Sequence, residues 1–419
     1  MPPTAMKPYL LPKALTSTLQ NLLTLNLLGI LFGRLSILSI LVILLANSKS
    51  IAQNSEGAEN LINNPSLLQE LKGKRLGLVC NQTTIVGNRY LVDVLQEKGL
   101  NLVLLFTPEH GFRGTADAGE NLESYTDPIS RIRVVSLYGK QKGPTESQMD
   151  SLDVLIYDLE DVGCRFYTYI STLEYCLNAA GKAKKSFWVL DRLGYNKTFV
   201  AGPVLEERYK TFVGMQPIPV LYGMTPGEYA QMLIGENWLK TPPANFKVVE
   251  GTYPKGFKKK FDANNVAPSP NLKTNQAIAL YPSLCLFEGT PVSVGRGTAT
   301  PFEVLGCPIP TMGFYTFTPM PTTGAKDPMY KNQLCYGIDL NKEKQEGFTL
   351  KYLAQMYRLY PDKGRFFRSF LDRLAGTATI REQILAGKSY QEIEKSWEPA
   401  LLQFKSIRKK YLLYNKNER

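Results

Sequence analysis

The sequence predicts an α/β protein, a Rossmann-like parallel-sheet domain followed by a smaller α+β auxiliary domain. Three observations predict it. Between residue 60 and about 195, short apolar runs alternate with helical segments, the rhythm of strands joined by crossover helices. The run Leu102 to Phe106 is continuously apolar and bounded by turn residues, as a strand covered on both faces would be. After Pro203 the rhythm fades into loops around Pro217-Ile218-Pro219, Pro242-Pro243 and Pro268-Ser269-Pro270, ahead of a helical C-terminal part. The expected organisation is a leader over 1–52, the Rossmann-like domain over 53–235 and the auxiliary domain over 236–419.

The leader holds Lys7, Lys13, Arg34 and Lys49 and no acid, and Leu35 to Ala46 is apolar apart from Ser36 and Ser39. Ser50-Ile51-Ala52 offers the small-x-small pattern of a signal peptidase site. These features predict a secretory signal with a long front, hence a periplasmic or extracellular protein. The alternative is an uncleaved anchor, the one route to a membrane here: Leu22 to Ala46 approaches spanning length, although Asn26 and Arg34 interrupt it.

In the body of the chain, strands are expected at Arg75–Asn81, Asn101–Phe106, Arg133–Tyr138, Asp153–Asp158 and Ser186–Asp191. Helices are expected near Arg89–Lys98 and Thr168–Lys182. Four more close the chain, around Leu350–Leu359, Phe366–Leu374, Arg381–Ala386 and Tyr390–Tyr411. The first turn after a strand, Asn81 to Gly87, has neither G-x-G-x-x-G nor a Walker lysine, so no dinucleotide or triphosphate cofactor is expected. The later Gly295-Arg296-Gly297 fits a tight turn as well as a phosphate loop. With one histidine and six scattered cysteines, no zinc site is expected either. Those cysteines, Cys80, Cys164, Cys176, Cys285, Cys307 and Cys335, lie mostly in apolar contexts that favour buried thiols, with one or two disulfides open to an exported chain.

The net charge is +12, and +8 without the four leader cations. Its clusters, Lys258-Lys259-Lys260 and Arg408-Lys409-Lys410, are short and flanked by aromatic residues, which reads as solvated faces and excludes nucleic acid as a partner. A basic exported protein does suit an anionic polymer such as cell-wall glycan.

Several strands end in polar groups: Asn81, Glu109 with His110, Asp158 with Glu160 and Asp161, and Asp191 with Arg192. A parallel sheet gathers such ends along its carboxyl edge, where ligands bind. His110 is the only histidine in the chain, so acid/base chemistry uses it or tunes carboxylates and tyrosines. The plainer reading of Glu109-His110 is a polar turn with a capping histidine. Carboxylates and tyrosines without a metal cluster suit glycoside hydrolysis, which needs an acid for the leaving oxygen and a second group as base or nucleophile. Glu109 can be that acid, with His110 or Arg113 orienting it or binding a substrate carboxylate. Asp158-Leu159-Glu160-Asp161 has a glutamate where an aspartate-dependent phosphatase needs its second aspartate.

The motifs resemble a bacterial family long known only as a domain of unknown function, with exo-β-N-acetylmuramidases among its members. The matching stretches are Thr107–Gly114, Asp158–Tyr169, Val189–Arg192, Gly223–Thr225 with Gly227-Glu228, Pro268–Asn271, and Tyr281–Thr290 through Gly295–Thr298. They run in order over essentially all of the mature chain. The resemblance implies a site in the cleft between the two domains and release of N-acetylmuramic acid from the non-reducing ends of peptidoglycan fragments in cell-wall recycling, without metal or cofactor. It implies Glu109 as the catalytic residue with His110 beside it. Arg113, Asp158, Asp161, Arg165, Tyr167, Asp191, Arg192, Tyr222, Glu288 and Arg296 fall at motif positions and are expected to bind substrate. Two departures stand out. Leu193-Gly194-Tyr195 replaces the family's Pro-Asn-Pro, and Tyr222 replaces a histidine. They motivate two other readings, a wall-glycan-binding protein without turnover and a hydrolase of another 2-acetamido sugar.

Overall fold

The computed structural model describes residues 54–414 apart from 110, 113–122, 263–265 and 345. Residues 54–414 belong to one compact unit. Its centre is a seven-stranded sheet of β1 (Arg75–Val79), β4 (Asn101–Thr107), β5 (Tyr125–Thr126), β6 (Arg133–Ser136), β7 (Val154–Tyr157), β8 (Ser186–Leu190) and β11 (Asn245–Val249). Two short pieces, β2 (Ile85–Val86) and β3 (Arg89–Tyr90), form a hairpin beside it, so the expected helix starts only at Leu91. The strand order is β11-β8-β7-β1-β4-β6-β5, parallel throughout except for the edge strand β5. This is the doubly wound order, with the direction of winding reversing between β1 and β7. The sheet takes in β11, beyond residue 236, at which the auxiliary domain was expected to begin.

Burial on both faces explains the apolar runs. Along β7, Val154 and Ile156 join one hydrophobic cluster while Leu155 and Tyr157 join the other; along β8, Trp188 and Leu190 oppose Phe187 and Val189. Side chains alternate across a strand, so each run must be apolar at every position to satisfy two cores. Helices Gly57–Asn63 and Leu91–Glu97 cover one face. Helix Tyr169–Lys182 covers the other, together with most of the C-terminal half.

After β8 come an antiparallel pair, β9 (Ala201–Val204) with β10 (Pro219–Leu221), and helix Pro226–Gly235 leading to β11. The C-terminal part holds helix Asn275–Leu284 and a three-stranded antiparallel sheet of β12 (Val304–Cys307), β13 (Tyr315–Phe317) and β14 (Cys335–Asp339), followed by five helices. The expected long helix Tyr390–Tyr411 is two, Tyr390–Lys395 and Glu398–Arg408. Pro399 explains the break: it lacks an amide hydrogen and its ring would meet the carbonyl four residues back, so it is tolerated only in the first turn of a new helix.

Candidate active site

The carboxyl edge of the sheet divides in two. On the β1, β7 and β8 side every polar strand end is buried and paired. Residues 154–170 are buried without interruption. Thr84 donates to the Asp158 carbonyl at 2.6 Å, and Asn81 to the Tyr169 hydroxyl at 3.1 Å. Arg192 clamps Asp158 through both carboxylate oxygens, at 2.6 and 2.8 Å. Burial alone would lower the Arg192 pKa, but Asp158, Glu56 and Glu160 more than offset that and hold it charged. Lys259 joins the group, 2.6 Å from Glu160 and 3.0 Å from Glu56.

The neighbouring motif residues are equally occupied. Asp191 accepts from the Thr225 hydroxyl at 2.7 Å, the Gly227 amide at 2.8 Å and the Tyr414 hydroxyl at 2.8 Å. It thereby fixes the N-terminus of helix Pro226–Gly235, which Thr225 and Glu228 close with a reciprocal capping box. Asp161 accepts from the Gly163 amide at 2.5 Å and from Tyr222 at 2.6 Å. Burial pushes its carboxyl up to about 7 despite those donors. Arg165 is fully buried and donates to four backbone carbonyls, Pro203 and Ile218 on one nitrogen and Leu374 and Ala375 on the other, at 2.7–3.0 Å. It ties the strand edge to the C-terminal helices and turns no donor toward open space.

On the β4 and β6 side the edge is open. Glu109 follows β4 and is half-buried, facing a cavity of about 450 Å³. The Thr168 hydroxyl donates to its Oε2 at 3.3 Å, and Tyr138, two residues past β6, lines the same cavity within the field of that carboxylate. Burial, with the fields of Glu109 and Glu288 behind it, holds that phenol well above its usual pKa, so it stays a donor. Lys142 lies over the rings of Tyr138 and Phe212, at 4.5 and 4.1 Å from their centroids. Burial lowers its pKa while Glu109 opposes that, which places a cation within the field of the carboxylate.

The C-terminal half supplies the opposite wall. Glu288, on the short helix Cys285–Gly289, binds Arg296 at 2.7 Å, and the guanidinium lies 4.9 Å from the Phe302 ring centre. Arg296 is presented by a turn in which Gly295 and Gly297 both have positive φ, 73° and 81°. A side chain at Gly297 would in addition meet the Met320 carbonyl at 2.5 Å, so Gly-x-Gly here serves a tight turn. Tyr167, Tyr281 and Phe302 line the space as an edge-to-face cluster, and the Tyr167 hydroxyl donates to the Pro268 carbonyl at 2.8 Å.

Of the expected site residues, then, Glu109, Tyr167, Glu288 and Arg296 come together around one cavity. Asp158, Asp161, Arg165, Asp191, Arg192 and Tyr222 are buried in the fold and do not line it. His110 and Arg113 lie outside the described residues. Tyr138, Thr168 and Lys142 were not foreseen. Tyr138 ends a strand at the same edge as Glu109, and that position was the signal available for it. All six cysteines are buried and none is in a disulfide, and burial raises the Cys164 and Cys176 thiols far from reactivity.

Residues 76–276 match the N-terminal domain of the exo-β-N-acetylmuramidase NamZ family and residues 279–414 its C-terminal domain. The chain belongs to this family. It is 37% identical over 379 residues to the peptidoglycan β-N-acetylmuramidase NamZ of Bacillus subtilis (strain 168), covering 84% of this chain and 89% of that protein. Two DUF1343 family crystal structures from Bacteroides fragilis share the fold. One superposes with a TM-score of 0.78 at 39% identity, over 86% of this chain and 99% of that one. The other does so with 0.73 at 26% identity, over 87% and 99%. The family is one of glycosidases, the reaction class its carboxylate-lined, aromatic-walled cavity suits.

Proposed function

We propose that the chain is an exo-acting glycoside hydrolase that releases N-acetylmuramic acid from the non-reducing ends of peptidoglycan fragments, in the cavity where the two family domains meet. The observation that carries this reading is Glu109: of the expected carboxylates that follow the strands, it is the one that borders the cavity, with the Thr168 hydroxyl on its Oε2. In the proposed reaction its carboxyl group protonates the glycosidic oxygen as the bond to the anomeric carbon breaks; water supplies the new bond to that carbon and the proton that restores Glu109, and Thr168 fixes the orientation of the carboxyl. Tyr167, Tyr281 and Phe302 offer ring faces and edges to the sugar. Arg296 supplies a cation for the lactyl carboxylate that sets muramic acid apart, with Glu288 holding the guanidinium in place. Glu288 is also the carboxylate on the wall opposite Glu109, where the second group of a glycosidase belongs. His110 and Arg113, next in the chain, complete the loop in this reading. The leader would deliver the enzyme to the wall.

The two departures give no support to a protein that binds without turnover. Tyr222 spends its hydroxyl on buried Asp161, and Leu193-Gly194-Tyr195 lines a different cavity. Release of free N-acetylmuramic acid from a muramic-acid-terminated disaccharide tests the reading. Glu109→Gln should lower the rate by about 10²–10⁴-fold without lowering thermal stability. Release that survives the substitution would remove Glu109 from its role, and binding of the disaccharide without release by the wild type would overturn the reaction.

A further inference from the structure

Two features conspicuous in the sequence take no part in the cavity around Glu109: the departure at Leu193-Gly194-Tyr195 and the run Lys258-Lys259-Lys260. The fold brings them together. With the segment around Tyr253 and Phe257, helix Asn275–Leu284 and Tyr414, they line a second cavity of about 790 Å³. We propose that this cavity binds an acidic saccharide, a muramyl-containing stretch of wall glycan, and holds the enzyme on the polymer while chain ends are trimmed in the first cavity. The identity of the glycan rests on the function proposed above.

Charge is the first support. Five lysines line the cavity against one acid, Glu346. Two of the five are neutralised from within: Lys197 lies 3.1 Å from Glu228, and Lys259 is shared between Glu56 and Glu160. Lys255, Lys258 and Lys260 are exposed, and no ion pair to them occurs among the described residues. A concave surface with uncompensated cations raises the local concentration of anions, and a muramyl glycan free of stem peptides carries a lactyl carboxylate on every second sugar.

The walls are the second support. Tyr253 and Phe257 stack at 5.6 Å with their planes 19° apart, and Lys259 stands 5.4 Å from the Tyr195 ring centre. Flat rings beside cations suit a pyranose that bears a carboxylate, its C–H face on the ring and its anion on the ammonium. The walls are also held in place before any ligand arrives. Tyr253 donates to Glu56 and accepts the Leu193 amide at 2.9 Å, while Tyr414 donates to Asp191 at 2.8 Å. Little side-chain entropy remains to be lost on binding.

Position is the third. Helix Asn275–Leu284 turns Ile278 and Ala279 to this cavity and Tyr281 to the first. Ile278 and Tyr281 are less than one turn apart, about 5 Å along the axis, so a single helix separates the two spaces.

The test uses a muramyl tetrasaccharide capped at its non-reducing end with N-acetylglucosamine, so that exo cleavage cannot begin, and neutral chitotetraose as control. Calorimetry should show the acidic tetrasaccharide binding the wild-type protein more tightly than chitotetraose. The variant K255S/K258S/K260S, altered only at exposed positions, should bind the acidic tetrasaccharide about tenfold more weakly. Its KM on long glycan strands should rise by a similar factor, with kcat and KM on the disaccharide unchanged. Equal affinity of wild type and variant for the acidic tetrasaccharide, or equal affinity of the wild type for both oligosaccharides, would overturn the site. Disaccharide hydrolysis is read separately. If it fails while the lysine-dependent binding stands, the reaction is wrong and the acidic-glycan site is not.

Discussion

The two halves of the sheet's carboxyl edge carry the same kinds of residue and put them to opposite uses. At the ends of β1, β7 and β8, where a doubly wound fold commonly opens its crevice, Asn81, Asp158 and Asp191 are wholly buried. Each has partners within the fold, and none of the three lines the cavity around Glu109. At the ends of β4 and β6, Glu109 and Tyr138 are only half-buried and border open space. Lying at the functional edge of a sheet is therefore not enough to make a carboxylate a reagent. What separates the halves is whether the group is enclosed by the fold or borders open space.

The largest effect is expected where the closed half is broken at its centre. Asp158→Ala leaves Arg192 buried without its bidentate partner, a loss of about 3–5 kcal/mol of stability by chemical denaturation. The fraction that remains folded should release N-acetylmuramic acid at the wild-type rate. A variant that folds normally and loses turnover would put Asp158 in the reaction and dissolve the distinction between the halves.

A second buried carboxylate sharpens it through pH. Glu174, on helix Tyr169–Lys182, has no cation in hydrogen-bonding reach in the way that Asp158 does. Burial pushes its carboxyl up to about 7, while Gln216 at 2.7 Å and the field of Lys210 pull the other way. A folded pKa above the unfolded value means that the folded state binds the extra proton, so stability falls as pH rises from about 4.5 to 7. Glu174→Gln mimics the protonated form and keeps an acceptor for Gln216. The variant should match the wild type at pH 4 and exceed it by up to about 3 kcal/mol at pH 8, measured by urea unfolding at both values. A difference independent of pH would mean that Glu174 is charged or neutral alike in both states.

The strands were legible because each must satisfy two cores, which forces runs such as Val154 to Tyr157 to be apolar throughout. Glu109 was legible for a related reason, as a charged residue directly after such a run. Motif membership proved a weaker guide to place. Asp158, Arg192, Asp191 and Arg165 sit in stretches as distinctive as that of Glu109, yet their partners are backbone groups and side chains far off in the chain: Arg165 meets carbonyls 209 and 210 residues away. No local pattern distinguishes a guanidinium that will meet a sugar from one that will meet Leu374 and Ala375. The second cavity was hidden for the same reason, since residues 193–195 and 258–260 are brought together only by the fold. The break before Pro399, by contrast, is written in the sequence and was passed over in favour of the helical period.

The smallest expected effect sits in the open half and asks whether its hydroxyls are part of the chemistry or only of the wall. Tyr138 and Glu109 follow two adjacent strands and line the same cavity, and burial and two carboxylates keep the phenol protonated, a donor. Tyr138→Phe keeps the ring, and with it the face on which Lys142 rests, while removing one hydroxyl from the cavity of the proposed acid. A hydroxyl that supports the charge developing on the carboxyl as it gives up its proton contributes about 1.5–3 kcal/mol, of which Thr168 retains a share through its bond to Oε2. The expected result is a fall in kcat of about tenfold, with KM on the disaccharide and thermal stability both unchanged. A rise in KM at constant kcat would instead make Tyr138 a substrate contact. An unchanged rate would mean that Thr168 and the loop after Glu109 are sufficient to hold the carboxylate.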